Sequence, residues 1–239
     1  MTLYIDEGNT RIKAWWVERG QVLLSWQGVD LHALVAQLPQ AAGQQVDLVV
    51  ASVRRVELLL QGLHRTGLAV GKLTVVGVDR SRLDTVYADA LTLGIDRWLA
   101  VLAVKQMQPA GRPALVIDAG TAVTMDVLTP DGRHGGGYIL PGLSLQLDAL
   151  ARHTQRVQVS APRWRGIGFG QDTPSCVSHG VLAAMVAMAN QAVVTLKTET
   201  GQVPTLWLTG GDAGIVGPHL PQAVLNEHLV LQGMMAAAS

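Results

Sequence analysis

The chain of 239 residues contains one cysteine, Cys176, which excludes an internal disulfide and suits a reducing compartment. It also carries no net charge, because 18 Lys and Arg balance 18 Asp and Glu, and its halves are even, with 12 basic and 10 acidic residues in 1–112 and 6 and 8 in 113–239. No basic field is present to hold nucleic acid. Long apolar runs are missing too: Val181–Ala189 in the second half is only nine residues, short of the ~20 that a bilayer crossing needs. A membrane span is therefore not expected. Asp6 and Glu7 stand directly behind Met1–Ile5, unlike a secretory leader, and the expected location is the cytoplasm. There is no Walker loop, no Cys-x-x-Cys and no Gly-x-Gly-x-x-Gly. His32, His64, His134, His153, His219 and His228 lack metal-ligand spacing, so a zinc site is not expected. Cys176 and His179 stand at helical i, i+3 spacing, which reads as packing and not as a nucleophile pair.

What is present is a repeat. Leu3-Tyr4-Ile5-Asp6-Glu7-Gly8-Asn9-Thr10 returns as Leu115-Val116-Ile117-Asp118-Ala119-Gly120-Thr121-Ala122, displaced by 112 residues. Each copy is an apolar strand ending in an acidic residue, with a Gly two positions on and a small polar residue after it. Such a turn can hold a carboxylate while the glycine lets backbone N–H groups approach a phosphate. The offset is nearly half the chain and far longer than a solenoid repeat, which implies two related half-domains facing one nucleotide cleft. With 49% hydrophobic residues, the chain has ample material for a folded core.

Local patterns fill in the order of elements. Thr2–Asp6 reads as a strand, with Ile12–Val17 and Gln21–Trp26 as meander partners joined through Arg19-Gly20. A helix is expected over Asp30–Leu38 with Asp30 as cap, then a strand at Val46–Ser52 buried on both faces, a helix at Val56–Gly67 and a strand at Leu73–Val78. Leu93–Met107 has a helical stripe, and Pro109–Pro113 is the clearest boundary, giving halves of 1–112 and 113–239. The second half then offers strands at Ala114–Asp118 and Val123–Leu128, a turn at Pro130–Gly132, a Gly-rich stretch from Gly135 to Gly142 and a long helix from Thr173 to about Lys197. Thr173 is expected at its N-cap and Pro174 at its first position, and a last strand, Leu206–Leu208, runs into Gly210-Gly211-Asp212. Trp15, Trp16, Trp98 and Trp207 read as core, and His134 beside three glycines reads as turn chemistry.

Several constellations fit phosphoryl transfer. Asp6 at a strand end suits Mg2+ held through water, while Gly8, Asn9 and Thr10 offer amides and side chains to phosphoryl oxygens and Lys13 a charge. A tight hairpin alone would also explain this turn, but the second copy at Asp118 weighs against that. Asp96 in the first turn of a helix is favoured by the macrodipole whatever it does. A carboxylate there can equally accept an alcohol proton, with Arg97 beside it to anchor an anion.

Taken in order, Asp6-x-Gly-Asn-Thr-x-x-Lys13, Tyr87 with Leu93-Gly94-x-Asp96-Arg97, Asp118-x-Gly-Thr121-Ala122 and Gly136-Gly137-x-Ile139-x-Pro141-Gly142 strongly resemble the type III pantothenate kinases. The resemblance runs from residue 3 to Gly210-Gly211. It implies an α/β fold of duplicated ribonuclease H-like halves, that of the acetate and sugar kinase, heat-shock chaperone and actin superfamily, with ATP between the halves. It implies ATP-dependent phosphorylation of pantothenate to 4′-phosphopantothenate, the first step of coenzyme A biosynthesis. Mg2+, a monovalent cation (K+ or NH4+) and a homodimer come with it.

By position, the resemblance assigns Asp6, Glu7, Gly8, Asn9, Thr10, Arg11, Ile12 and Lys13 to the first phosphate loop, Thr121 to a second ATP contact, and Asp118 to the monovalent cation. It assigns Tyr87, Gly94, Ile95, Asp96, Arg97 and Thr173 to the pantothenate pocket, with Asp96 taking the proton from the primary hydroxyl. The long apolar helix over Val177–Leu196 is broad enough to serve a core and a dimer interface together. Three positions depart from the family pattern. Glu7 puts a second carboxylate where relatives usually carry a neutral residue, to repel phosphate or add a metal ligand. Ala90 stands where proline is frequent, which loosens the loop presenting Tyr87. Ile95 is larger than usual and reshapes the pocket wall. Two rivals stand beside this reading: another small-molecule kinase of the superfamily, since a fold does not choose its acceptor, and a non-catalytic nucleotide-binding regulator.

Overall fold

Three strands in an up-and-down meander begin the chain in the computed structural model, which describes residues 1–39, 45–154, 162, 164 and 166–239. They are β1 (Thr2–Glu7), β2 (Ile12–Glu18) and β3 (Gln21–Gly28). The β2–β3 turn has positive φ at both Arg19 (49°) and Gly20 (80°), the mirror-image geometry whose twist suits a hairpin. Helix α1 (Leu31–Gln37) follows, its first turn capped where Asp30 accepts from the His32 amide. It leads to β4 (Val46–Ser52), and α2 (Val56–Arg65) then leads to β5 (Val70–Val75). The sheet order is β3-β2-β1-β4-β5, antiparallel through the meander and parallel from β1 to β4 to β5.

Side-chain alternation along these strands decides which face each residue serves. Leu3, Ile5, Ile12, Ala14, Trp16, Leu48 and Val50 form one buried cluster with Leu34 of α1 and Leu59 and Leu63 of α2. Helix α7 (Leu229–Ala238) lies against β1 and β4, and its side chains take no part in that cluster. It therefore covers the opposite face. Helix α3 (Ile95–Met107) runs close to α7: a Cβ at Gly233 would overlap the Leu99 carbonyl, so only glycine allows this approach.

The second sheet repeats the plan. Strands β6 (Ala114–Ala119), β7 (Ala122–Leu128) and β8 (His134–Pro141) form an antiparallel meander, and β9 (Thr205–Thr209) and β10 (Val224–Leu225) add parallel to β6 in turn. The order β10-β9-β6-β7-β8 matches the first sheet strand for strand. Between β8 and β9 lie α4 (Leu143–His153) and α5 (Thr173–Thr200), and α6 (Ala213–Val216) follows β9. Leu115, Ile117, Val123, Met125, Leu206 and Leu208 pack against Val181, Leu182, Met185, Val186 and Ala189 of α5. By contacts the chain divides into one unit of Met1–Leu83, Tyr87–Gln106 and Leu229–Ser239, and another of Asp84–Val86 and Met107–His228.

Several expectations are corrected. Strand β5 lies three residues earlier than Leu73–Val78, because its parallel partner β4 begins at Val46, opposite Val70. The cap of α5 is Asp172, not Thr173: Ser175 and Asp172 bond each other's backbone reciprocally, and Pro174 takes the second helical position. The Gly-rich stretch is part of a strand whose register on β7 shifts between Asp126 and Leu128, with Gly136 at φ 90°, and a Cβ at Gly137 would overlap the Met125 carbonyl across from it. His134 is fully buried within that strand, not in a turn. Trp15, Trp16 and Trp98 are core residues, while Trp207 is half-buried beside the short edge strand. Helix α5 is long enough, and over an 18-residue window of mean hydropathy 1.5 apolar enough, to cross a membrane by length and composition alone, because the polar residues that interrupt its apolar runs are few. In this fold it supplies the core of the second sheet.

Candidate active site

Asp6 is the penultimate residue of β1, directly opposite Lys13 on β2 and Ala51 on β4. Leu3 and Ile5 face the α1/α2 core, so strict alternation turns Glu7 to that side and Asp6 to the other, together with Lys13. Asp6 is only 5% exposed. Between the strands, the Gly8 amide donates to the Arg11 carbonyl at 3.1 Å, closing a turn on which Asn9, Thr10 and Arg11 are exposed.

Alternation turns the second carboxylate to the opposite face. Glu7, 7% exposed, accepts a 2.6 Å hydrogen bond from Ser52 Oγ on β4, and Arg54 Nη1 lies 4.0 Å from its other oxygen. Ser52 is held in turn by the Arg54 amide, while the Val53 amide donates to the Glu7 carbonyl. Glu7 and Ile12 both turn their side chains to the α1/α2 face and present only backbone toward the turn.

The second acidic turn is built in the same way. Asp118 is penultimate in β6, opposite Thr124 of β7 and Thr209 of β9, and turned away from the core formed by Leu115, Ile117 and Ala119. The Gly120 amide bonds the Ala122 carbonyl, and Thr121 is exposed. The Asp212 amide reaches the Ala119 carbonyl at 2.8 Å, the counterpart of Val53 reaching Glu7. Two glycines shape this turn. Gly210 has φ 99°, and a Cβ there would overlap both the Ala119 carbonyl and Asp118 Oδ1. A Cβ at Gly142 would overlap the Gly120 and Thr121 carbonyls, and the Gly142 amide donates to Thr121 at 2.9 Å.

The third constellation is the start of α3. Gly94 accepts from the Trp98 amide as the cap residue, and the fully buried Trp98 indole donates to the Leu83 carbonyl at 2.9 Å, fixing where the helix begins. Asp96 Oδ1 accepts from the Arg97 amide at 2.8 Å, an orphan donor of the first turn. Arg97 is 6% exposed; its Nη1 donates to the Tyr87 hydroxyl at 3.1 Å and its guanidinium carbon sits 5.9 Å from the centre of the Tyr87 ring. Arg80 donates to the Tyr87 carbonyl. Ile95 is buried, and Asp89 caps a short 3₁₀ turn at Ala90–Thr92, so the loop before Gly94 is ordered without a proline.

The structure thus joins Tyr87, Gly94, Asp96 and Arg97 into one cluster, sets Asp6 beside Lys13, and sets Asp118 below the Thr121 turn. Thr173 is exposed in the first turn of α5. Cys176 is exposed and not packed, and His179 Nδ1 donates to the Gly168 carbonyl, so the two do not pair. Among the described residues no group of three or more His, Cys, Asp or Glu is arranged to hold a metal. Sequence reasoning missed Ser52 and the buried Asp126–His134 pair; buried polar residues inside apolar strands were their only signal.

A curated type III pantothenate kinase of Pseudoalteromonas translucida is 34% identical over 238 residues, covering 98% of this chain and 94% of its own. A solved Campylobacter jejuni structure, described as a Baf family transcriptional activator, superimposes with TM-score 0.65 at 20% identity over 98% of this chain and 96% of that one. A Sinorhizobium meliloti protein described as a 2-dehydro-3-deoxygalactonokinase gives 0.59 at 14%, covering 100% and 98%. At such identities the solved structures speak for the fold alone, which is the α/β arrangement of two five-stranded sheets with one strand order described above. The family model of type III pantothenate kinases matches residues 2–195, and with that relative it shows that the chain belongs to the type III pantothenate kinase family.

Proposed function

We propose that this protein transfers the γ-phosphoryl group of ATP to the primary hydroxyl of pantothenate, giving 4′-phosphopantothenate and ADP at the entry to coenzyme A biosynthesis. Membership of the family supports the substrate. The observation that carries the chemistry is the start of α3, where a partly exposed carboxylate, Asp96, stands one residue from the buried guanidinium of Arg97.

In this reading Asp96 accepts the hydroxyl proton while the hydroxyl oxygen bonds to the γ-phosphorus and the bond to the β–γ bridging oxygen breaks, releasing ADP. Arg97 and Tyr87 hold the pantothenate, Arg97 supplying the charge that suits a carboxylate or a transferring phosphoryl group. Gly94 and Ile95 belong to the same cluster, and Thr173 is proposed as a further substrate-binding residue. The turn from Asp6 to Lys13 donates amides and the Lys13 charge to phosphate oxygens, and Thr121 adds a contact from the second turn.

Asp6, a buried carboxylate at the end of a strand beside the first turn, fits Mg2+, which keeps several waters and binds chiefly through phosphates. When bound, it would neutralise charge on the phosphates. Asp118, flanked across both neighbouring strands by Thr124 and Thr209, offers the oxygen donors that suit K+ or NH4+. The exposed Ala184, Ala187 and Val194 lie on a face of α5 outside its core, with the exposed Gln191 among them, and offer a surface for a homodimer; in this reading the enzyme is cytoplasmic and binds neither nucleic acid nor membranes. Light scattering checks this: a species of 25.4 kDa alone refutes the dimer. ADP release on adding pantothenate, ATP, Mg2+ and K+ or NH4+ tests the activity, and turnover at background refutes it.

A further inference from the structure

Three fully buried polar side chains in the second unit serve none of the steps above. Thr85 Oγ1 lies 2.9 Å from His134 Nδ1, and His134 Nε2 lies 2.8 Å from Asp126 Oδ1. Thr85 and His134 are 0% exposed and Asp126 is 2% exposed. The set is satisfied when Nε2–H donates to the Asp126 carboxylate and Nδ1 accepts from the Thr85 hydroxyl. Its geometry is that of a nucleophile triad, but no substrate can reach a threonine with no exposed surface. A different use is needed.

The surrounding backbone supplies one. Asp84–Val86 belongs to the second unit by its contacts, although the residues before and after it belong to the first. It is held there by one isolated parallel bridge between Thr85 and His134: the His134 amide donates to the Asp84 carbonyl at 2.8 Å, and the Val86 amide donates to the His134 carbonyl at 3.0 Å. Arg133 also pairs with Asp84 at 2.9 Å, but both side chains are well exposed, and such surface pairs contribute little. Two backbone bonds specify a register weakly, and a slip of one residue would turn each side chain to the opposite face. A buried polar set has a desolvation cost that an apolar one avoids, and its best-attested use is to fix register.

The residue that follows Val86 is Tyr87, whose hydroxyl and carbonyl are bonded by Arg97 and Arg80. We propose that the Thr85–His134–Asp126 triad is a positioning device for the acceptor site: it locks the register of Asp84–Val86 on β8 and thereby sets the place of Tyr87 for pantothenate. The inference rests on the pantothenate reading of that cluster.

The test uses the full-length protein and Thr85→Val, which keeps the shape and removes the hydroxyl, beside Thr85→Ser, which keeps the hydroxyl. T85V is expected to raise KM for pantothenate roughly tenfold, about the effect of one buried hydrogen bond, while KM for ATP stays near wild type. T85S is expected to behave as wild type. Amide exchange in the ligand-free protein is expected to speed up over 84–90 in T85V alone. His134→Gln is expected to give the same split, and it decides the matter if T85V fails to fold. Unchanged pantothenate KM and unchanged exchange would overturn the inference, as would a parallel rise of both KM values with a lowered Tm. A wild-type protein that does not turn over pantothenate defeats the functional reading instead, and the exchange comparison still decides whether the triad holds Asp84–Val86.

Discussion

Gly94 and Asp96 are fitted to one another: a Cβ added to Gly94 would lie 2.7 Å from Asp96 Oδ1. The absence of a side chain two residues earlier gives the carboxylate its place over the first turn of α3, where it accepts from the Arg97 amide. Gly94→Ala is expected to turn that carboxylate aside with little effect on stability. Displacing a catalytic group by about 1 Å can reduce the rate ~100-fold, so kcat should fall by roughly that factor. Steady-state ADP release with a parallel thermal melt measures both; an unchanged kcat would show that Asp96 tolerates another rotamer.

Asp96→Asn separates basicity from shape. The amide oxygen of Asn can still accept from Arg97, so the helix start should survive, but the proton acceptor is gone. General-base catalysis contributes ~100- to 10,000-fold, and kcat should fall within that range while KM for ATP holds. A near-normal rate would remove Asp96 from the role of base.

Much of this was legible in the chain because the signals are local. The repeated acidic turns stand on strands whose apolar runs are unbroken, and both sheets grew from them with the same strand order. The faces of those strands were not legible until their partners were known. Glu7 reads as a threat to phosphate binding only when alternation is ignored; once Leu3 and Ile5 define the core side, its carboxylate belongs with Ser52. His134 was misread because three glycines follow it, and glycine signals turns, whereas here glycine admits the close packing of β8 on β7. The docking of α7 on β1 and β4 joins residues more than 170 positions apart, and no local pattern carries such information.

The Glu7–Ser52 pair yields an expectation of its own. Ser52→Ala leaves a buried carboxylate without its 2.6 Å donor, and hydrogen bonds to charged groups contribute roughly 1.5–3 kcal/mol. Urea unfolding should show a loss of that order. Glu7→Gln in the S52A background should recover part of it by removing the charge, and in the wild-type background it should leave KM for ATP within a few-fold. A large fall in ATP KM for Glu7→Gln would mean that the carboxylate does repel phosphate.

The glycines behind the second turn distinguish its two duties. Gly142→Ala would press against the Gly120 and Thr121 carbonyls, displacing the proposed ATP contact, and overpacking of this kind costs about 1–3 kcal/mol. KM for ATP should rise with little change in response to K+. Gly210→Ala acts on the other side of the turn. It must hold an alanine at φ 99° and meets Asp118 Oδ1 itself, so the carboxylate proposed for the monovalent cation is the group that moves. The concentration of K+ or NH4+ giving half-maximal activity should shift upward in Gly210→Ala and stay put in Gly142→Ala. Titrating the cation at saturating ATP separates the two, and equal shifts in both variants would place the cation elsewhere than at Asp118.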